Sequence, residues 1–268
     1  MIDSHCHLYD PAFEPDCDDV LTRAFSAGIT DIIISGTDID RNEKALSLCR
    51  KIRSERLSGK PVPQTYATLG LSPFLAVSAS DDVINATLDH LEGLLKTHDP
   101  AVIGIGESGM DYFYHKDEAE RLRQRNVFER VIGIAAENDL PLVIHGRDAE
   151  SDCLDMILSG GLRKAVFHSY GGSPETMRRI LDSGYFISLS TLVCTSSRHK
   201  KLAGMVDPDR LFLETDSPYL SPRKMKGFPR NEPSFATDSL RKVASLRSMT
   251  TEELTELTNR NVRKFYGI

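Results

Sequence analysis

Short apolar runs alternate with longer amphipathic stretches along almost the whole chain. The short runs are dense in Val and Ile, the pattern of strands covered on both faces. They predict strands at residues 1–7, 30–36, 64–70, 101–107, 141–145, 164–168, 185–190 and 210–216. The stretches between them predict helices at residues 18–27, 41–54, 82–97, 117–137, 152–158 and 174–182. Leu122, Val127, Val131, Ile134 and Ala135 form the apolar stripe of the longest. Ser173-Pro174 reads as an N-cap followed by proline at the first helical position. Thr250-x-x-Glu253 reads as a capping box for the last helix.

Eight βα units in one run, without a strand hairpin, predict an α/β fold, a closed parallel TIM-type (β/α)8 barrel. An open doubly wound sheet would need a phosphate loop or a dinucleotide fingerprint. The G-I-G-E-S-G run at residues 104–109 imitates one, but its first glycine lies inside a strand, whereas the motif belongs in the turn that opens a helix. No linker, repeat or low-complexity stretch divides the chain, so residues 1–268 read as a single domain. The long irregular segment at residues 217–233 holds four prolines and is expected to form an ordered loop over one end of the barrel.

Composition narrows the setting. The 268 residues suit a barrel of ~250, and 40% hydrophobic with 27% charged residues allow a sizeable core under a solvated surface. No apolar run approaches the ~20 residues that span a bilayer, and the start lacks the basic and apolar regions of a signal peptide. The five cysteines, Cys6, Cys17, Cys49, Cys153 and Cys194, are scattered without a CxxC pair. That disfavours a disulfide framework and a thiolate zinc site, and a reducing, cytoplasmic setting is the expectation. A net charge of −6 gives no general attraction for nucleic acid, although basic patches and phosphate-coordinating metals act locally. Trp is absent, so any base stacking falls to Tyr, Phe, His or Arg.

The candidate chemistry lies at the strand ends. His5-Cys6-His7 closes the first strand, and residues i and i+2 leave a strand on the same side. Four further apolar runs end at Glu107, His145, His168 and Asp216. In a parallel barrel these ends meet around one mouth. Parity agrees: Ile103 and Ile105 share a face with Glu107, Val143 with His145, and Val166 with His168. A lone histidine or carboxylate at a strand end is ordinarily hydrogen-bonded or capping. Burying four imidazoles and two carboxylates together without a cation would be costly. The set suffices for two divalent ions. Glu107, with two oxygens and a strand lying between the others, is the expected bridge. His5, His7 and Asp216 complete one centre, and His145 and His168 the other. Paired ions ~4 Å apart activate a water and stabilise both oxygens of an in-line displacement at phosphorus. Asp216 would also take the proton of that water, so Glu107 and Asp216 are the candidate catalytic groups. Imidazole-rich ligation suits zinc or manganese better than magnesium, and a site accepting any of the three is expected. His90, His98 and His199 in helix-like segments and His115 in a loop are expected to be structural.

Five ordered motifs carry a family resemblance: D-S-H-C-H-L at residues 3–8, G-E-S-G-M-D-Y at 106–112, V-I-H-G-R-D-A at 143–149, F-H-S-Y-G-G at 167–172 and E-T-D-S-P-Y-L at 214–220. With R-N-E-P at 230–233, the chain resembles TatD-type metal-dependent deoxyribonucleases, which have an amidohydrolase-like barrel. The resemblance implies a divalent-metal centre and hydrolysis of DNA phosphodiesters, often as an exonuclease. It also implies His5, His7, Glu107, His145, His168 and Asp216 as metal ligands. Many members carry a His-Pro-His type segment after the third strand, where this chain has Leu71-Ser72-Pro73-Phe74. Ser72, a neutral donor, is the candidate to replace the missing contact. Gly146 stands where Cys is common.

Arg147 and Arg230, both inside family-like motifs, are the expected phosphate contacts; Arg198, Lys200, Lys201, Arg223, Lys224 and Lys226 are weaker ones. Tyr112 and Tyr114 are candidate stacking surfaces for a base, Phe113 is expected to pack under its loop, and Glu214 to act behind Asp216. The leading expectation is a deoxyribonuclease working on single-stranded or frayed ends, because a duplex fits a deep mouth poorly. The alternatives are a barrel hydrolase of small amides, lactones or phosphoesters and a non-enzymatic scaffold. The intact ligand set argues against the scaffold.

Overall fold

The computed structural model describes residues 1–222 and 230–268. Its eight strands form one parallel sheet in chain order: β1 (Ile2–Cys6), β2 (Asp31–Ser35), β3 (Gln64–Leu69), β4 (Val102–Asp111), β5 (Leu142–Arg147), β6 (Ala165–Phe167), β7 (Phe186–Leu189) and β8 (Leu211–Leu213). Beyond β8 the chain returns to β1. Asp216 donates its N–H to His5 O at 3.0 Å, and His7 donates to Ser217 O at 2.7 Å. The buried Asp3 carboxylate fastens the same seam by accepting from Thr215 N at 2.9 Å and Thr215 Oγ1 at 2.7 Å.

Helices connect and cover the strands: α1 (Cys17–Ser26), α2 (Ile39–Leu57), α3 (Pro73–Ser78), α4 (Asp81–Leu95), α5 (Glu118–Glu137), α6 (Glu150–Ser159), α7 (Pro174–Asp182), α8 (Leu192–Thr195), α9 (Ser197–Met205), α10 (Ala236–Arg247) and α11 (Thr251–Tyr266). Ser173 caps α7 by accepting from Thr176 N, and the capping box of α11 forms between Thr250 and Glu253. No helix range was predicted for α3, α8, α9 and α10; α3 and α8, six and four residues long, are too short for a helical period to declare itself. None of the helices is long and apolar enough to cross a membrane among the described residues.

Two apolar clusters result. Ile2, Ile33, Ile103, Val143, Val166, Phe186 and Phe212, one from each of seven strands, pack together with Val262, Phe265 and Tyr266 of α11. The larger cluster joins the strands to the surrounding helices. Ile105 belongs to this second cluster, not with Ile103. The expected shared face is therefore broken, because the β3–β4 register shifts between Ala67 and Thr68. β4 also runs four residues past the predicted end at 107, to Asp111. Gly70 lets the end of β3 approach it: a Cβ there would come within 2.3 Å of Glu107 O.

Candidate metal centre

The strand ends bring all six predicted ligands together around Glu107. His5 Nε2 lies 3.0 Å and His7 Nε2 3.4 Å from Glu107 Oε2, and His145 Nδ1 lies 3.5 Å from Oε1. His168 Nε2 is 3.9 Å from Oε2. Asp216 Oδ1 is 3.4 Å from His7 Nε2 and 3.8 Å from His5 Nε2. Two sets of donor atoms, His5 with His7 and Asp216, and Glu107 with His145 and His168, each fall within 4.8 Å of one another. His168 stands one residue past β6 and Asp216 three past β8. The backbone of Asp216 is left-handed, with φ 57°, a conformation Asp tolerates better than most residues.

Each ring is held from behind, which fixes its inward nitrogen. His7 Nδ1 donates to Ser35 O at 2.9 Å, leaving the Nε2 lone pair toward the centre. His145 Nε2 donates to Asp111 Oδ2 at 3.0 Å, so Nδ1 faces inward. His5 Nδ1 is 3.0 Å from Ser35 Oγ, which itself accepts from Thr68. His168 Nδ1 faces Glu214 Oε1 at 3.4 Å, and Glu214 accepts from Ser188 through its other oxygen. Asp111 was not foreseen. Its signal was available: it shares strand parity with Glu107 and Gly109, had the strand been carried past 107.

The electrostatics match a cation site. Burial raises the cost of charge on Glu107, yet the surrounding imidazoles, His145 foremost, hold its carboxyl well below the usual range. Burial pulls against protonation of His145, but Asp111 and Glu107 outweigh it and lift that ring to about 9. His7 is likewise lifted well above its ordinary value against its burial, by Tyr9, Asp216 and Glu107. Burial pushes His5 and His168 down and Glu214 up to about 7. No Lys or Arg pairs with Glu107 or Asp216 among the described residues. His168 Nδ1 and Glu214 Oε1, both buried, have no partner among the described residues except their 3.4 Å approach to each other. Four imidazoles and two carboxylates converging with this need for positive charge fit divalent cations.

The predicted substrate contacts fare differently. Arg147 lies over the rings of Phe113 and Tyr114, at 4.0 and 4.9 Å from their centroids, and lines a cavity of about 400 Å³ that also touches His145, His168 and Asp216. Phe113, expected to pack away, is 44% exposed and lines the same cavity. Tyr112 instead turns toward the helices, donating to Asp152 at 2.9 Å and accepting from Arg125 at 2.9 Å, with Arg121 over its ring. Ser72 caps α3 by accepting from Leu75 N, and it is 7% exposed. Phe74 packs beside it, with its ring 6.1 Å from His145 and 5.7 Å from Tyr114. Arg230 is engaged by Asp16 at 2.6 and 2.8 Å, donates to Ala12 O and covers Phe13, so it ties the loop after β8 to the start of the chain. In these roles Ser72, Tyr112 and Arg230 do structural work in the fold. The same loop is ordered where described, with Asn231 donating its N–H to Pro218 O and its side chain to Thr215 O. Arg223, Lys224 and Lys226 lie outside the described residues. Of α9, Arg198 lines the cavity with His199, while Lys200 and Lys201 do not. His90 pairs with Glu43 and His115 with Glu120.

Comparison with known proteins agrees with this geometry. The family model described as TatD related DNase matches residues 2–267. An uncharacterized metal-dependent hydrolase of Methanocaldococcus jannaschii is 35% identical over 265 residues, covering 99% of this chain and 96% of that protein. A protein of Klebsiella pneumoniae named 3'-5' ssDNA/RNA exonuclease TatD is 32% identical over 277 residues, covering 100% of this chain and 98% of its own. Among solved structures, a TatD homolog from Escherichia coli superimposes with a TM-score of 0.88 at 25% identity, covering 100% of this chain and 98% of that one.

Proposed function

This chain belongs to the TatD related DNase family of metal-dependent hydrolases, and from that premise we propose that it hydrolyses phosphodiester bonds of DNA at single-stranded ends. The observation that carries the reading is the convergence of both donor sets on the two oxygens of Glu107. His5, His7 and Asp216 would hold one divalent ion, His145 and His168 a second, and Glu107 both. Zinc, manganese or magnesium bound there supplies Lewis acidity toward water and toward a phosphoryl oxygen.

The protein's own groups do the rest. Asp216 accepts a proton from the attacking water at a carboxylate oxygen. Glu107 and Asp216 are the catalytic carboxylates, and Asp111 and Glu214 keep the rings of His145 and His168 in register. Arg147 neutralises a substrate phosphate without reading sequence. Phe74, Phe113 and Tyr114, respectively 41, 44 and 59% exposed, offer stacking faces to unpaired bases. A cavity of about 400 Å³ takes a nucleotide-sized body and has no room for a duplex. This supports the single-strand reading.

End-labelled single-stranded and duplex DNA test the proposal with added manganese. The native chain should cut the single strand faster, and Glu107→Ala and Asp216→Asn should cut neither. Turnover of small amides or lactones with both DNAs left intact would instead place the chain among general barrel hydrolases.

A further inference from the structure

The cavity beside the ligand cluster extends to a histidine that the mechanism above does not use. His199, the third residue of α9, lines it together with Arg198, Gly171, Asp148 and Glu150. The residue is 8% exposed, yet only one of its ring nitrogens is engaged within the protein. Nδ1 lies 2.9 Å from Ser196 Oγ, and that oxygen also accepts the backbone N–H of His199 as the helix cap, at 3.4 Å. The hydroxyl hydrogen of Ser196 is free to go to Nδ1, and in that tautomer the ring proton lies on Nε2. Nε2 has no partner among the described residues. A Cβ added to Gly171 would lie 3.4 Å from it, so the missing side chain at 171 keeps this atom open to the cavity.

The surroundings favour an anion. Arg198 is exposed and makes no ion pair with any described residue. The first turn of α9 carries no acidic side chain, and its N-terminus adds partial positive charge. Burial pushes the His199 ring down, so it acts at neutral pH as an uncharged N–H donor. Asp148 and Glu150 are the opposing groups; burial pushes the Glu150 carboxyl up, while the Arg198 charge pulls it down.

We infer that His199 Nε2 and the Arg198 guanidinium form a phosphate subsite, separate from the metal ligands, that holds the phosphate neighbouring the one cleaved. The inference rests on the nucleic-acid reading above and deepens it: the substrate needs two successive phosphates, one at each end of the cavity.

The test is binding. Fluorescent tetrathymidylate is compared with copies in which a neutral methylphosphonate replaces one phosphate at a time, in the Asp216→Asn background with manganese, so that nothing is cut. One position should weaken binding by roughly tenfold, the range of a charge-assisted contact. His199→Ala should weaken the unmodified probe by a similar factor and add nothing on the probe neutral at that position. His199→Gln, which keeps a donor, should restore most of the affinity. Gly171→Ala, which screens Nε2 and leaves the histidine in place, should copy His199→Ala even if that variant folds poorly. Equal losses on every probe, or no loss on any, would overturn the subsite and leave the nuclease reading intact. Failure of the Asp216→Asn protein to bind any oligonucleotide, with no DNA cleavage by the native chain, would overturn both.

Discussion

The two ends of the barrel are made by the same strands and are opposites in chemistry. At the end where strands begin, Phe186, Phe212 and Phe265 meet at 5.0 to 5.3 Å between ring centroids, and Tyr266 packs on Phe265 at 4.7 Å. At the end where strands finish, buried imidazoles and carboxylates face one another with no apolar filler between them. The first arrangement gains stability from removing apolar surface from water. The second accepts a desolvation cost that only cations, or protons standing in for them, can offset. The barrel can carry such a cluster because the apolar end is built independently of it.

The largest test of that division is Glu107→Ala. DNA cleavage should fall by roughly 10³-fold or more, and bound metal should fall in elemental analysis, while circular dichroism stays that of a folded barrel. Loss of the fold would show that the two ends are not independent. Next comes the reverse cut. Phe265→Ala, at a position 4% exposed, should cost about 3–5 kcal/mol in urea unfolding and leave the metal bound per folded molecule unchanged. Smaller effects follow from the groups behind the rings. Asp111→Asn and Glu214→Gln should each weaken metal affinity by about 10–100-fold, read by competition with a chelating dye, with a smaller change in unfolding midpoint. Removing the metal with a chelator should lower the thermal midpoint of the native chain, and zinc or manganese should restore it, since ligands of the folded state stabilise it by mass action.

The smallest effect lies away from both ends. Arg230, followed by Arg23, holds the Asp16 carboxyl well below its ordinary value. A depressed folded-state value means that the contribution is complete above the unfolded carboxyl's ~3.9 and fades as the pH falls toward the folded value. Because Asp16 and Arg230 are partly open to solvent, Arg230→Ala should cost no more than about 1 kcal/mol at neutral pH. That difference should shrink in acid, as measured by urea unfolding across pH.

Much of this was legible along the chain because it is local. Val- and Ile-rich runs declare buried strands. Ser173-Pro174 and the Thr250–Glu253 box declare helix starts. Histidines or carboxylates at the ends of successive parallel strands declare a shared mouth, since a parallel barrel sends every strand end to one side. What tertiary structure decided is which atoms point where. A shifted β3–β4 register parted Ile103 from Ile105, and pairing with β5 carried β4 on to Asp111, behind His145. Tyr112 and Arg230 found partners in distant segments and Ser72 became the cap of its own helix, contacts that their residue types alone do not specify. α9, read as helix-like in the sequence but not placed against the mouth by it, brought His199 to the cavity. Periodicity records which face of an element is buried, but the partner of a polar side chain is set by chain segments that no local pattern describes.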